Sequence, residues 1–231
     1  MDIVAIEDLS FGWQPARPVL AIPEFRVAQG ERVFLAGPSG SGKSSLLAVI
    51  AGIAAAQSGR LEIMGQDMSA LSSAGRDAFR ADHLGVIFQL FNLVPYLSPI
   101  ENVLLACRFS PARRKRASAD VSLQAEAERL LNALGLSGDS LKRASTELSV
   151  GQQQRVAAAR ALIGSPALII ADEPTSALDA DSRDSFIGLL QAECARAGSA
   201  LLFVSHDREL GQYFDRQLDL AELNGAREVD A

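Results

Sequence analysis

Val33-Phe34-Leu35-Ala36-Gly37-Pro38-Ser39-Gly40-Ser41-Gly42-Lys43-Ser44 decides the fold. Four apolar residues run into a loop that matches G-x-x-x-x-G-K-[ST] in full. Leu46, Leu47 and Ile50 then recur at helical spacing. Strand, loop and helix in that order are the context in which this motif cradles phosphates. Glycines let the backbone curl so that successive N–H groups point inward at phosphate oxygens. The following helix adds partial positive charge at its N-terminus. Lys43 is expected to reach the β- and γ-phosphates, and the Ser44 hydroxyl to take a Mg²⁺ position. The candidate nucleotide-binding residues of the loop are therefore Gly37, Pro38, Ser39, Gly40, Ser41, Gly42, Lys43, Ser44 and Ser45. A loop of this kind specifies a nucleoside triphosphate but not its use.

The next informative stretch is Leu168-Ile169-Ile170-Ala171-Asp172-Glu173. A short unbroken apolar run is the mark of a parallel strand buried on both faces. Ligands sit at the C-terminal ends of such strands. Asp172 is placed to face Mg²⁺ through a water, and Glu173 to orient and partly deprotonate an attacking water.

Elsewhere, strands are expected over Ile3–Leu9, Arg32–Ala36, Leu61–Met64, Leu84–Phe88, Ala200–Val204 and Gln217–Leu220. Helices are expected over Ser69–Asp82, from near Ile100, over Ala117–Leu134 as one amphipathic element, and over Gln152–Ile163 and Ala180–Ala197. The pattern predicts an α/β fold: a P-loop NTPase core with a mainly parallel sheet, N-terminal antiparallel strands and an inserted helical subdomain at roughly 90–160. Residues 1–231 read as a single domain.

Composition bounds the function. The chain has 231 residues, 48% hydrophobic and 22% charged. A chain of this size buries roughly 70% of its surface, enough for a core without disulfides or structural metal. Net charge is −6, which argues against nucleic acid as a partner. Cys107 and Cys194 read as reduced, buried thiols. No apolar stretch approaches the ~20 residues of a membrane helix, and Met1-Asp2-Ile3-Val4 does not open like a signal peptide. Any membrane role is expected to come through a partner. Arg113-Arg114-Lys115-Arg116 reads as a solvated loop, with contact to anionic lipid headgroups as the alternative. Phe91, Leu93, Val94, Tyr96 and Leu97 are expected to divide between core and a groove that receives a helix of a membrane subunit.

Five further motifs carry a family resemblance. Leu148-Ser149-Val150-Gly151-Gln152-Gln153-Gln154-Arg155 resembles the LSGGQ signature of ABC (ATP-binding cassette) ATPases. Glu173-Pro174-Thr175-Ser176-Ala177-Leu178-Asp179 resembles the family's acid and D-loop. Ser205-His206-Asp207 resembles its switch histidine, Phe88-Gln89 its Q-loop, and Trp13 its adenine-stacking aromatic. The resemblance implies ATP and Mg²⁺ as cofactors and a head-to-tail dimer of two copies. Ser149 and Gly151 of one copy would cap the γ-phosphate held by Lys43 of the other, Gln152 would be nucleotide-binding beside them, and Asp179 would couple the two sites. Glu173, His206 and Gln89 would be catalytic; Ser44, Gln89 and Asp172 would serve the metal. It further implies an integral membrane permease subunit as partner, with the chain held peripherally at the cytoplasmic face of the inner membrane. Phe88 to Pro95, followed by Glu101-Asn102-Val103, resembles ATPases of the lipoprotein-release and macrolide-export type. Val150 departs from the pattern by replacing a glycine. A β-branched residue avoids positive φ, so this backbone is expected in an ordinary region. The alternative function is an ATP-binding module that tethers a membrane partner without efficient turnover.

Overall fold

The computed structural model describes residues 1–14, 17–38 and 40–226. In chain order the elements are β1 (Asp2–Phe11), β2 (Leu20–Ala28), β3 (Arg32–Ala36), α1 (Lys43–Ile50), β4 (Ser58–Ile63), β5 (Gln66–Asp67), α2 (Ser73–His83) and β6 (Leu84–Ile87). There follow α3 (Pro99–Phe109), α4 (Pro111–Ala117), α5 (Leu123–Ala133), α6 (Val150–Leu162), β7 (Leu168–Asp172), α7 (Ala180–Ala197), β8 (Ala200–Ser205), β9 (Arg216–Asp219) and α8 (Leu220–Leu223).

Two sheets result. The N-terminal one is antiparallel, in order β2-β1-β4-β5; the other is parallel, in order β6-β7-β8-β3-β9. The apolar runs of the parallel sheet serve two cores at once. Phe34, Ile169, Ala171, Leu201 and Phe203 face the helices α3, α5, α6 and α7. Val33, Leu35, Ile170, Leu202 and Val204 face α1 and the antiparallel sheet. Alternation of period two within an unbroken apolar strand follows from burial on both faces. Gly85 shows how close the layers come: a Cβ there would stand 2.3 Å from the Ala161 carbonyl oxygen, so α6 packs directly on the β6 backbone.

The helices α3 to α6 are inserted between β6 and β7, close to the expected span. Their starts follow from capping. Ser98 with Glu101, and Ser149 with Gln152, each form a reciprocal capping box. Pro111 occupies the first turn of α4, with Ser110 as its cap.

The expected helix over Ala117–Leu134 is in fact α4 and α5, broken at residues 118–122. The Ser122 hydroxyl caps the second helix by accepting from the Ala125 N–H. The apolar periodicity of α5 hid that stop. The basic run is likewise no solvated loop. It lies within α4, where Arg113 is 4% exposed. The Arg113 guanidinium donates to the carbonyls of Leu84, Arg160, Ala161 and Ile163, and burial lowers its pKa to about 10. Arg116 Nε donates to the Gly164 carbonyl at 2.6 Å. These arginines cap the C-terminus of α6, where orphan carbonyls need donors. Among the described residues no helix is long and apolar enough to cross a membrane.

Candidate active site

The phosphate loop joins β3 to α1. Gly42 is the N-cap of α1 at φ 96°, and a Cβ there would meet Leu20 at 3.0 Å. Only glycine adopts that backbone readily. The first N–H groups of a helix have no partner within it, and Gly42, Lys43, Ser44 and Ser45 at the start of α1 line a cavity. Lys43 is buried, and its Nζ donates to the carbonyls of Gly37 at 2.6 Å and Pro38 at 2.8 Å. Glu173 Oε1 lies 3.9 Å away. The ammonium thus rests on neutral carbonyls, which a doubly charged phosphate outcompetes electrostatically. Ser39 lies outside the described residues.

The ends of β7 and β8 supply the acids. Glu173 sits at φ 47° and is fixed there by its N–H, which donates to the Val204 carbonyl at 3.0 Å. Its Oε2 lies 2.9 Å from His206 Nδ1, and the Ser205 hydroxyl donates to it at 3.4 Å. A carboxylate oxygen accepts, so this contact is served by Nδ1–H as donor. Burial holds the Asp172 carboxyl above the ordinary carboxylate range, and Glu173 adds to this. The Ser44 hydroxyl and Lys43 pull the other way.

A cavity of about 550 Å³ is lined by Val19, Gly40, Gly42, Lys43, Ser44, Ser45, Gln89, Asp172, Glu173 and His206. One recess therefore gathers the expected cation, hydroxyl, amide, two acids and histidine from four separate stretches of chain. Val19 is an addition that no motif signals; it precedes β2 and backs onto Gly42. Ser44 and Asp172 both line this recess and supply hard oxygens, and among the described residues no group of three His, Cys, Asp or Glu side chains is placed to hold a metal ion by itself. That donor set fits Mg²⁺, which binds through one or two protein oxygens plus phosphates and water.

Other expected site residues stand outside this recess. Ser149 caps α6 and is exposed, with Gly151 and Gln152 half-buried beside it. Val150 is the first residue of α6, in ordinary helical backbone and 48% exposed. Asp179 is exposed and caps α7; the backbone and side chain of Ser182 bond to its carboxylate and hold its pKa below the ordinary range. Trp13 is 65% exposed, edge-on to Phe11, and its Nε1 donates to the Ser45 hydroxyl at 3.1 Å. The chain thus presents this recess and, separately, an exposed helix N-terminus.

A second recess of about 610 Å³ is a mostly apolar groove between α2, β6, α3 and the segment after β6. Phe88, Val94, Leu105, Phe109 and Arg160 are among its walls. Of the five residues expected to divide between groove and core, Val94 lines it, and Phe91 and Leu93 pack against the helical core. Tyr96 is 79% exposed and, like Leu97, is not part of its lining.

Comparison with known proteins adds the following. A profile of the ABC transporter family matches residues 20–176. The lipoprotein-releasing system ATP-binding protein LolD 2 of Rhodospirillum rubrum is 40% identical, over 92% of this chain and 90% of its own. The uncharacterized ABC transporter ATP-binding protein YbbA of Escherichia coli K12 is 40% identical, with the same coverage. A solved dimeric ATP-binding cassette, MJ0796, in a post-hydrolysis state bound to ADP and Pi, superimposes with a TM-score of 0.79. It is 30% identical and covers 94% of this chain and 93% of its own.

Proposed function

The chain belongs to the ABC transporter family, and on that premise we propose that two copies pair head to tail around ATP and drive a membrane permease of the lipoprotein-release or export type. ATP hydrolysis is the activity of this family of subunits, and the residues gathered here suit it. The observation that carries the reading is the division of the site: Lys43, Gln89, Asp172, Glu173 and His206 line one recess, whereas Ser149, Gly151 and Gln152 lie outside it on an exposed helix start.

Each residue then has a task. The loop N–H groups and Lys43 bind the phosphates, Lys43 exchanging its carbonyl partners for phosphate oxygens. Trp13 stacks on the adenine. Ser44, Gln89 and Asp172 would hold Mg²⁺, which supplies charge neutralisation at the phosphates when bound. Glu173 orients the attacking water and accepts its proton. His206 donates through Nδ1 to Glu173 and offers Nε2 to the γ-phosphate side. Ser149, Gly151 and Gln152 of the second copy close the recess at the γ-phosphate, where the α6 N-terminus favours an anion. Asp179 couples the two recesses. Hydrolysis removes the shared group and opens the pair. The apolar groove takes a helix of the permease, which holds the chain at the cytoplasmic face of the membrane. Val150 leaves the helix start intact, so the tethering module without turnover is not favoured.

Mixing two disabled variants tests the division of the site. Lys43→Ala and Ser149→Arg are each expected to abolish ATP turnover. In the mixed dimer one recess joins an intact loop to an intact signature, so turnover should return to about a quarter of wild type. If the mixture stays as inactive as its components, the two-copy site is wrong.

A further inference from the structure

The segment between β6 and α3 touches both recesses. Gln89 lines the phosphate recess, whereas Phe88, Asn92 and Val94 line the apolar groove. Between them the backbone reverses tightly: the Phe91 N–H donates to the Phe88 carbonyl at 2.9 Å, and the Asn92 N–H to the Leu90 carbonyl at 2.6 Å. Phe91 and Asn92 lie at φ 59° and 49°. Asparagine visits this region; a bulky phenylalanine rarely does. Two successive residues there without a glycine persist only when something outside the loop holds them.

Beside the packing of Phe91 on the helical core, one side chain grips the backbone of both residues. Arg160, on α6, donates from Nη1 to the Asn92 carbonyl at 2.6 Å and from Nη2 to the Phe91 carbonyl at 2.6 Å. Arg160 is also a wall of the groove. Its planar guanidinium offers parallel donors at fixed spacing, which matches two successive carbonyls; the lysine ammonium is a single point of charge.

We propose that Arg160 is a positioning residue for Gln89: its fork fixes the reversal at Phe91–Asn92 and so sets where the Gln89 amide stands in the phosphate recess. With the fork released, both residues return to ordinary backbone, and Gln89 moves with the chain that carries it. Because the guanidinium also faces the groove, an occupant there that competes for it shifts Gln89 from outside. The inference rests on the proposed function only for its readout, which is ATP turnover.

A double-mutant cycle in steady-state hydrolysis by the purified full chain tests it. Arg160→Lys keeps the charge and the packed stem, and thermal melting checks that it folds. It should lower kcat about fivefold while the KM for ATP changes less than about twofold. In a Gln89→Ala background the same substitution should add no further loss, because Arg160 acts through Gln89. Asn92→Ala, on the exposed loop, provides a second arm: alanine resists positive φ, so it should give the same kcat loss and the same disappearance in the Gln89→Ala background. Losses that multiply across the cycle, or an unchanged kcat in both arms, overturn the assignment. A wild-type chain without turnover would instead overturn the function on which the readout depends.

Discussion

Glu173 illustrates how much a single residue owes to its backbone. Its φ of 47° is unusual for glutamate, yet that conformation turns the side chain toward Lys43 and His206 at once. The sequence names this acid by its position after an apolar strand, but the strained backbone that aims it is set by the Val204 carbonyl, far along the chain. Val150 was readable in full: a β-branched residue demanded ordinary backbone, and it sits in the first turn of α6. The cysteines were also legible as buried and reduced. Burial pushes the Cys194 thiol up to about 12 and raises that of Cys107 as well. A thiol reacts as its thiolate, so neither cysteine should be modified by a thiol-specific reagent in the folded chain at pH 9, while both should react after unfolding. Rapid labelling of the native chain would contradict their placement.

At the scale of elements, strands and capped helices were legible because their signals are local. Apolar runs bounded by turns, and Ser or Asp before a helix, place β3, β7, β8, α6 and α7 within a residue or two of where they lie. What escaped was set by long-range contact. The α4 helix puts Arg113 and Ala117, four apart, on one inward face. There the charge meets the carbonyl end of α6, a partner that composition does not reveal. Arg116 adds a second clasp from the same helix. Replacing Arg113 with methionine removes the donors and leaves several carbonyls buried without partners. The expected loss is about 3 kcal/mol in denaturant unfolding. Lys115→Met, on the exposed side of the same helix, should change stability by less than about 0.5 kcal/mol. Equal effects from the two would mean that the clasp does not hold α4 to the core.

Across the whole molecule, the ends of the parallel strands and the loop before α1 gather Lys43, Ser44, Gln89, Asp172, Glu173 and His206 in one recess, the groups to which the proposed function assigns phosphate, water and metal. Ser149, Gly151 and Gln152, at the start of α6, do not line that recess. The last turns of α6 pack on β6 through Gly85, and a Cβ on Gly151 would meet Leu178, beyond the end of β7. The order of motifs along the chain singled out Lys43, Ser44, Gln89, Asp172, Glu173 and His206, which the structure brings to one recess. That Ser149, Gly151 and Gln152 lie outside this recess is set by packing, since linear spacing does not say which surfaces meet. Of the five apolar residues expected at a groove, Val94 alone lines this one, because Leu105, Phe109 and Arg160 come from helices whose packing decides which side chains reach it.

In the proposed scheme ATP is bound between two copies and Glu173 then consumes it. Glu173→Gln keeps the shape of the side chain and removes the base. Its molecular mass in solution, by sedimentation equilibrium with and without Mg²⁺ and ATP, is the direct measurement. The variant should sediment as a monomer alone and as a stable dimer with ATP, with turnover lost. A monomer under both conditions, or a dimer indifferent to nucleotide, would contradict the account.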